Sequence, residues 1–314
     1  MSDVKKIATR QAYGEALAEL GEKYENLVVM DADLAASTKT SIFAKKFPDR
    51  FFDCGIAEGN MASMAAGLAT TGKIVFASSF AMFATGRAYE QIRNSIGYPH
   101  LNVKIAASHG GISVGEDGAT HQCLEDVSLM RNIPGMVVMV PSDYVEAKAA
   151  VQAAIDHNGP VYLRLGRSNV PVINDREDYK FEMGKGVVLK EGTDVTVIAT
   201  GICVDSALRA EELLAADGIN AQIVNMHTIK PLDEDLVVEC AKKTGKIVTV
   251  EEHSVIGGLG SAVCDCICKK YPIPVMKVGV QDVFGTSAPC DELMRRFRLD
   301  GQGVYEQVKE FLGK

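Results

Sequence analysis

Residues 53–72 read DCGIAEGNMASMAAGLATTG and extend from the end of one apolar run to the start of the next. These runs, FFDC at 51–54 and KIVFAS at 73–78, have the length and composition of buried strands. The segment between them is rich in Ala and Gly and predicts a helix that begins at Glu58. Strand, helix and strand in this order are typical of a parallel sheet, so this stretch predicts an α/β fold.

Small residues lie on nearly every face of this predicted helix, which predicts close approach of other elements and therefore a buried helix. Glu58 at its start has two interpretations. An acidic residue there is favoured by the helix dipole and needs no other explanation. Alternatively, its carboxyl group lies in a dry site and shares a proton with a ligand nitrogen. The pattern alone favours the first interpretation.

Strands and helices continue to alternate on both sides of this unit. Further apolar strands are predicted at 27–33, 102–108, 136–140 and 161–165, and a second series at 194–200, 220–226, 246–252 and 275–280. Charged residues, Pro and Gly between the two series predict a linker. Uninterrupted apolar strands separated by helices indicate parallel sheets covered on both faces. We therefore expect two α/β domains, each a largely parallel sheet flanked by helices, at residues 1–170 and 187–314, with a linker at 171–186.

The composition excludes several classes of protein. The chain is 47% hydrophobic and 24% charged, and no apolar run is as long as a membrane span, so we expect no membrane partner. A net charge of −8 without a concentrated basic face argues against nucleic acid and leaves small anions as ligands. Residues 1–10 lack the apolar core of a secretory signal, and the eight cysteines show no ligand-like spacing, so we expect a cytoplasmic protein.

In sheets of this kind, ligands bind beyond the carboxyl ends of the strands. Titratable and aromatic side chains follow five successive strands of the first domain, namely Asp33, Ser37, Glu58, Phe80, Phe83, His109, Asp117, His121 and Arg167. Any one of them alone would be ordinary. Their number at one edge exceeds what surface loops require, which predicts a binding site.

Some of these residues also have simpler interpretations. Phe80 and Phe83 are three residues apart, which predicts that they share one helical face. Two such rings either pack in the core or form a flat wall for a planar ligand, and the pattern alone favours core packing. Arg167 either binds a phosphate group or forms a surface ion pair, and for a lone Arg the ion pair is favoured.

The loop HGGISVGEDGATHQ at 109–122 is more distinctive. Its glycines let the backbone approach a ligand, and His109, Asp117 and His121 between them gain freedom to converge. A mobile, solvated loop is the simpler alternative, and a metal site is another. Because the spacing matches no usual set of metal ligands, we rank a metal site below hydrogen bonds to a polyhydroxylated substrate and assign no residue here as a metal ligand.

Together these segments resemble the second half of transketolase. The matching stretches follow the family's order through nearly the whole chain: MDADLAAST, DCGIAEGNMASMAAGLA, SSFAMFATGRAYEQIR, SHGGISVGEDGATHQ, MVPSD, GPVYLRLGRSN and EEHSVIGGLGSA. The combination of IAEGNM, GEDGATHQ and EEHSVIGGLG is highly specific. The resemblance implies a pyrimidine-binding domain up to about residue 170 and a transketolase C-terminal domain from about residue 187.

The resemblance also implies thiamine diphosphate as cofactor. Glu58 matches the family's glutamate, which bonds the aminopyrimidine ring and promotes loss of a proton from the thiazolium carbon. Phe80 and Phe83 match the aromatic wall against the pyrimidine. Asp33 and Leu34 match residues near the thiazolium ring.

The implied reaction is transfer of a two-carbon glycolaldehyde unit from a ketose phosphate to an aldose phosphate. His121, the second catalytic residue after Glu58, and Asp117 match positions that hydrogen-bond the substrate hydroxyls and the reacting oxygen. Ser37, His109 and Arg167 match positions that hold the substrate phosphate. Sugar phosphates are therefore the expected substrates.

Two positions depart from the family pattern. Family members often have a third aromatic ring one turn after Phe83, where this chain has Gly86, so we expect a wider pocket there. Ala119 stands where Pro is common. Neither change removes a catalytic group.

The family holds the diphosphate and its Mg²⁺ through a GDG motif and a downstream Asn, and this chain contains no such motif. The resemblance therefore implies that an N-terminal-half transketolase subunit holds the metal. Because the sequence begins with its own Met and a well-formed first helix, we expect a natural two-subunit enzyme. Symmetry favours an α2β2 assembly that contains a homodimer of this chain, with the Ala/Gly helix after Glu58 as a packing surface.

Three alternatives remain at this point. A 1-deoxyxylulose-5-phosphate synthase-like subunit would consume pyruvate and an aldehyde phosphate, so an assay of the donor separates it from transketolase. A β subunit of a 2-oxo acid dehydrogenase is a weaker match to GEDGATHQ. A non-catalytic assembly or regulatory paralogue would have no reason to retain Glu58, both Phe residues, both histidines and Arg167.

Overall fold

A computed structural model describes residues 5–176 and 178–314. Residues 1–4 and 177 lie outside the described residues. Of the segment 1–10, which we expected to lack a secretory signal, the structure describes only residues 5–10. In these two ranges, no helix is long and apolar enough to cross a membrane.

The described strands fall into two main sheets and a small ribbon. They are β1 (Lys6–Ala8), β2 (Leu27–Asp31), β3 (Phe51–Asp53), β4 (Ile74–Phe80), β5 (Val103–Ser108), β6 (Val137–Met139), β7 (Val161–Arg164), β8 (Asn169–Pro171), β9 (Val187–Lys190), β10 (Val195–Ala199), β11 (Ala221–Asn225), β12 (Thr228–Lys230), β13 (Ile247–Ser254) and β14 (Val275–Val280).

The helices pack on both faces of these sheets. They are α1 (Thr9–Leu20), α2 (Ala35–Thr38), α3 (Ser41–Lys46), α4 (Glu58–Ala69), α5 (Tyr89–Gln91), α6 (Asp126–Arg131), α7 (Tyr144–Asp156), α8 (Cys203–Ala216), α9 (Glu234–Thr244), α10 (Leu259–Lys270), α11 (Cys290–Arg296) and α12 (Gly301–Leu312). Two segments, Met82–Arg87 and Ile92–Gly97, are π-helical, and two, Pro48–Arg50 and Ile112–Asp117, are 3₁₀-helical.

The first sheet has the strand order β12-β6-β7-β5-β4-β2-β3. Its six strands from β2 to β7 pair in parallel, as the alternating pattern predicts. All seven residues of β4 are buried, because helices cover both faces of the sheet. One face packs against α1 and α7, and the other against α4 and the π-helical segments.

The second sheet has the order β14-β13-β10-β11-β9. The four predicted strands are parallel, and β9 pairs antiparallel at one edge. Helices α8 and α12 cover one face, and α9 and α10 the other. The predicted fold class, two largely parallel α/β sheets flanked by helices, is confirmed.

Four short strands were not predicted from the sequence. Strands β1 and β8 form an antiparallel ribbon, while β9 and β12 are antiparallel edge strands. Each is three or four residues long and contains at least one charged or polar residue or a Pro, so none stands out as an apolar run. Strand β12 follows the second sheet's β11 in the chain but pairs with β6, so it adds an edge to the first sheet.

Helix α4 corrects one expectation, because it is buried on one side only. Glu58, Met61 and Ala65 on its inner side are buried, whereas Ser63 and Met64 are exposed. Small residues on the outer side therefore do not pack within this chain.

A buried polar cluster joins the two sheets. Arg164 at the end of β7 is 4% exposed, and its Nε donates to Asp126 at the start of α6 over 2.7 Å. The Tyr162 hydroxyl donates to the same carboxylate over 2.6 Å. From the second sheet, the carbonyl of Glu252 accepts from Arg164 over 3.1 Å, and its carboxylate lies 3.7 Å away. Burial would raise the pKa of Asp126, but the charges of Arg164 and His253, with the hydrogen bonds from Arg164 and Tyr162, together lower that pKa below its ordinary value.

We predict that Arg164→Met destabilises the fold by about 3–5 kcal/mol, because it leaves the Asp126 and Glu252 carboxylates buried without their cation. Chemical denaturation followed by circular dichroism measures this change. Arg209→Met is the matched control, because Arg209 pairs with Asp205 on the exposed surface of α8, where such a pair contributes less than about 1 kcal/mol. Equal effects of the two substitutions would contradict the prediction.

Candidate functional site

Two phenylalanine rings form a flat apolar wall at the carboxyl edge of the first sheet. Phe80 is the last residue of β4, and Phe83 lies in the π-helical segment that follows. Their ring centroids are 5.8 Å apart and the planes differ by 18°. The prediction that both lie on one helical face is wrong, since Phe80 belongs to a strand. The wide π-helical turn after β4 nevertheless stacks the two rings.

The two loop histidines contact this wall. The His109 ring stacks on Phe80 with centroids 3.7 Å apart, and the His121 ring meets Phe83 edge-on at 5.3 Å. His109 has φ of 60°, a conformation that His adopts more readily than most residues. The Nδ1 atom of His121 pairs with the Thr120 hydroxyl over 3.0 Å, which leaves its Nε2 atom as the candidate ligand-binding nitrogen.

Glu58 lies beside the same wall. It is the first residue of α4 and only 1% exposed, so the favourable helix position and the dry setting occur together. Both of its carboxylate oxygens accept from Arg87, over 3.1 and 2.9 Å. The Arg87 guanidinium lies over the Phe83 ring, 5.2 Å from its centroid. Sequence reasoning missed Arg87, although a single cation within the apolar stretch SSFAMFATGRAY was a usable signal.

Gly86 occupies the position where a third ring was expected. A side chain on Gly86 would overlap the terminal methyl group of Met82. The half-buried Met82 side chain therefore offsets part of the widening expected there.

Two arginines and a histidine converge at the other end of the wall. Arg10 donates to the carbonyl of Ser37 over 2.7 Å and to the carbonyl of Arg167 over 3.1 Å. Burial and then the charge of Arg167 lower the pKa of Arg10. Arg167 forms the ion pair that its sequence favoured, with Glu116 at 2.8 Å. Sequence reasoning missed Arg10, because it follows a strand that is too short to predict.

His109 is neutral at neutral pH. Burial first, and then the charges of Arg10, Arg167 and His121, lower its pKa to about 3. Its Nδ1 atom lies 2.8 Å from the Ser108 hydroxyl. A neutral imidazole can both donate and accept a hydrogen bond, depending on its tautomer.

Asp33 and Leu34 lie beyond β2, at the same edge of the sheet. Asp31 holds this loop, since its carboxylate accepts from the Leu34 amide over 2.7 Å and from the Thr38 hydroxyl over 2.6 Å. Burial raises the pKa of Asp31 to about 6. The exposed Asp33 has φ of 64° and donates its amide hydrogen to Asp53.

Asp117 lies at the end of the 3₁₀-helical segment and is exposed. It therefore lies at the solvent side of the loop, while His109 lies at the buried side. Among the residues that the structure describes, no group of three or more His, Cys, Asp or Glu side chains is arranged to hold a metal ion.

Comparison with protein families assigns both parts of the chain. Residues 5–172 match the transketolase pyrimidine-binding domain, and residues 184–304 match the transketolase C-terminal domain. Together these matches cover most of the chain.

Curated relatives fall into two lengths. A putative transketolase C-terminal section from Methanocaldococcus jannaschii is 53% identical, covering 97% of this chain and 96% of the relative. A 6-deoxy-6-sulfo-D-fructose transketolase subunit from a Clostridium species is 45% identical, covering 96% and 93%. Human transketolase is 39% identical over 98% of this chain, which spans only 50% of the human protein.

A solved structure described as a split gene transketolase, inactive β4 tetramer, is similar throughout. It is 53% identical with a TM-score of 0.89, and the match covers 98% of this chain and 99% of that one. This similarity extends over both sheets.

We predict that His109 makes the fold less stable in acid. Its folded pKa of about 3 lies below the unfolded value of 6.5, so between these values the unfolded chain binds more protons. The contribution of His109 to the free energy of unfolding is fully present above pH 6.5. It is lost, by up to about 1.4 kcal/mol per pH unit, as the pH drops toward 3.

The test measures the denaturation midpoint at several pH values between about 4 and 7, the window set by these two pKa values, and takes the slope of midpoint against pH. His109→Asn, which tolerates the same backbone conformation, should reduce the slope. His100→Asn, at an exposed position that also has positive φ, is the matched control and should leave the slope as in the wild type. An unchanged slope in His109→Asn contradicts the prediction.

Proposed function

The chain belongs to the transketolase family, and from this we propose that it supplies half of a thiamine diphosphate site that transfers a two-carbon glycolaldehyde unit from a ketose phosphate to an aldose phosphate. The proposed domains remain residues 1–170 and 187–314, with the linker at 171–186. The second half of the site would come from an N-terminal-half transketolase subunit.

One observation carries this proposal: a continuous row of contacts joins a buried carboxylate to a pair of cations. Glu58 pairs with Arg87, which lies over Phe83. Phe83 stacks with Phe80, and Phe80 stacks with His109. Burial first, and then the charges of Arg10 and Arg167 at the far end, lower the pKa of His109. A reaction that needs an acid, a ring-binding wall and a phosphate site in sequence fits this order.

The residues present fit the aminopyrimidine part of thiamine diphosphate. The guanidinium of Arg87 is flat and carries N–H donors, and it already lies both on the Glu58 carboxylate and over the Phe83 ring. Glu58 and Phe83 thus accept between them a flat group that donates hydrogen bonds. When bound, thiamine diphosphate supplies a nucleophilic carbon and an electron sink for cleaving the bond next to a ketose carbonyl.

Glu58 would hold a proton at the pyrimidine ring nitrogen, and its burial keeps water from competing for that proton. Phe80 and Phe83 would bind the ring face and exclude solvent from it. Asp33 and Leu34, fixed by the Asp31 loop, would lie near the thiazolium part.

His121 would act at the reacting end of the substrate through its Nε2 atom, with Asp117 bonding a substrate hydroxyl. At the far end, Arg167, His109 and Ser37 would hold the substrate phosphate. We add Arg10 to this set, because its charge lies close to that of Arg167 and an anion between them would relieve their repulsion.

The described residues do not fit the Mg²⁺ diphosphate, since they contain no group of three or more His, Cys, Asp or Glu side chains that could hold the ion. We therefore assign the metal and the diphosphate to the partner subunit. The relative described as an inactive β4 tetramer supports this division, because it is a similar chain without a second kind of subunit.

The outer side of α4 is our candidate for a subunit contact in an α2β2 assembly. Met64 on this side is 42% exposed, and Phe52 and Ile56, which precede α4 in the chain, are 40% and 75% exposed. Exposed large apolar side chains are typical of subunit contacts.

Eight free cysteines support our placement of the protein in the cytoplasm.

We predict that Glu58→Gln lowers two-carbon transfer by a factor of about 10²–10⁴, because the amide cannot exchange a proton with the cofactor. The transfer rate is measured with saturating thiamine diphosphate and Mg²⁺, and assembly is checked by size-exclusion chromatography. Glu90→Gln on α5 is the matched control, since Glu90 is exposed and bonds only to neighbouring side chains of its own helical region. A fully active Glu58→Gln enzyme refutes the assigned role.

We predict that the purified chain is inactive alone and active when mixed with an N-terminal-half subunit. The assay supplies thiamine diphosphate, Mg²⁺, a ketose phosphate and an aldose phosphate, and follows loss of the ketose. A parallel assay with pyruvate as donor should show no consumption. Full activity of the chain alone would refute the two-subunit proposal, and consumption of pyruvate would favour the synthase-like alternative.

A further inference from the structure

The loop at 109–122 belongs to the first half of the chain, yet its base is built into the second sheet. Ile112 and Leu124 are buried in the same hydrophobic cluster as residues of β10, β13 and α12. Gln122 donates to the carbonyl of Thr286, and the Ser287 hydroxyl donates to the carbonyl of Glu116 over 2.6 Å. The loop's position is therefore set from outside the domain to which it belongs.

Glu252 of the second sheet contacts the loop at Ser113, four residues after His109 in the chain. It lies within β13 at 4% exposure, and its Oε2 atom accepts from the Ser113 amide over 3.0 Å. Gly111 shows how closely the carboxylate approaches, because any side chain there would overlap Glu252. Gly111 also has φ of 87°, which favours glycine independently.

Arg164 fixes Glu252 in turn. It donates to the Glu252 carbonyl over 3.1 Å, and its guanidinium lies 3.7 Å from the Glu252 carboxylate. Because Arg164 also pairs with Asp126, it retains one carboxylate partner when Glu252 is replaced. Substitution of Glu252 thus removes the contact to the loop without removing every partner of the buried cation.

We propose that Glu252 is a positioning residue for the reaction, holding the 109–122 loop so that His109 and His121 meet the substrate. This inference rests on the proposed function for its effect on catalysis. It gives the second domain a defined role, because a carboxylate of that domain sets the backbone that carries the substrate-binding side chains. Glu252 itself touches neither substrate nor cofactor.

Glu251, the preceding residue in the same strand, provides a matched control. It is equally buried, but its carboxylate accepts from the Leu259 and Gly260 amides over 2.7 and 2.8 Å. These amides belong to the start of α10 in its own domain. Loss of Glu251 therefore affects the domain and not the loop.

The test compares Glu252→Met, Glu252→Gln and Glu251→Met in the complex with the N-terminal-half subunit. Even a small displacement of a binding loop weakens substrate positioning. Glu252→Met should therefore raise the KM for the ketose phosphate about tenfold, with a smaller change in kcat. The Kd of thiamine diphosphate, measured by fluorescence titration, should stay within about twofold, because Glu252 does not touch the cofactor wall. Glu252→Gln keeps an acceptor oxygen and should restore most of the wild-type KM. Glu251→Met should lower the denaturation midpoint and leave KM within about twofold.

Hydrogen exchange of the isolated chain gives a second readout that needs no activity. Peptides from 109–122 should exchange faster in Glu252→Met than in the wild type, and at the wild-type rate in Glu251→Met. Unchanged exchange in Glu252→Met overturns the inference, as does an equal rise in KM for both Met variants. If the wild-type complex transfers no two-carbon unit, the proposed function fails, while the exchange result still decides whether Glu252 holds the loop.

Discussion

The Arg164 guanidinium lies between two sheets with almost no access to water, and its position constrains both of them. Asp126 approaches it from the first sheet and Glu252 from the second. A buried cation is tolerated only when its hydrogen bonds are satisfied, so neither sheet can rotate against the other without leaving a charge unpaired. An apolar contact would permit many nearly equivalent arrangements, whereas this cluster permits few. The position of the loop at 109–122 depends on this constraint, since Glu252 also holds the Ser113 amide.

The candidate site combines groups whose electrostatic settings differ over a short distance. Glu58 lies in a dry, helix-start position with a single cation on both oxygens. At the other end, burial and then the charge of Arg167 lower the pKa of Arg10, and His109, between the two arginines and the wall, is neutral. Stacked rings separate the two ends. One end is thus suited to proton exchange with a neutral ring and the other to an anion.

Long, strongly patterned features could be predicted from the sequence, and short or non-local ones could not. The ten predicted strands each lie in a clear apolar run, and most of them, such as β2, β4 and β5, are fully buried. The antiparallel strands β1, β8, β9 and β12 are short and are interrupted by charged or polar residues or Pro, so they do not stand out as apolar runs. Arg10 was missed for the same reason, because it follows β1.

Within the site, the motif residues were predicted individually, but their contacts depend on local backbone geometry. Phe80 and Phe83 were placed on a helix because spacing of three favours it, whereas the chain uses a strand and a π-helical turn. The burial of α4 was overestimated, because Ala and Gly show only that close approach is possible and not which side another element approaches. The EEHSVIGGLG motif had no assigned role, since its contact with Ser113 lies 139 residues away in the chain.

Strand β12 has a consequence for how the protein is made. Its residues Thr228–Lys230 cover the edge strand β6 of a sheet whose other strands end at Arg164. During translation, the growing chain must therefore keep an unpaired strand edge until residue 230 has left the ribosome. Such an edge can pair with the same edge on a neighbouring nascent chain. The first sheet therefore gains its last strand only from the second half of the chain, and truncation before residue 228 would leave this edge unpaired.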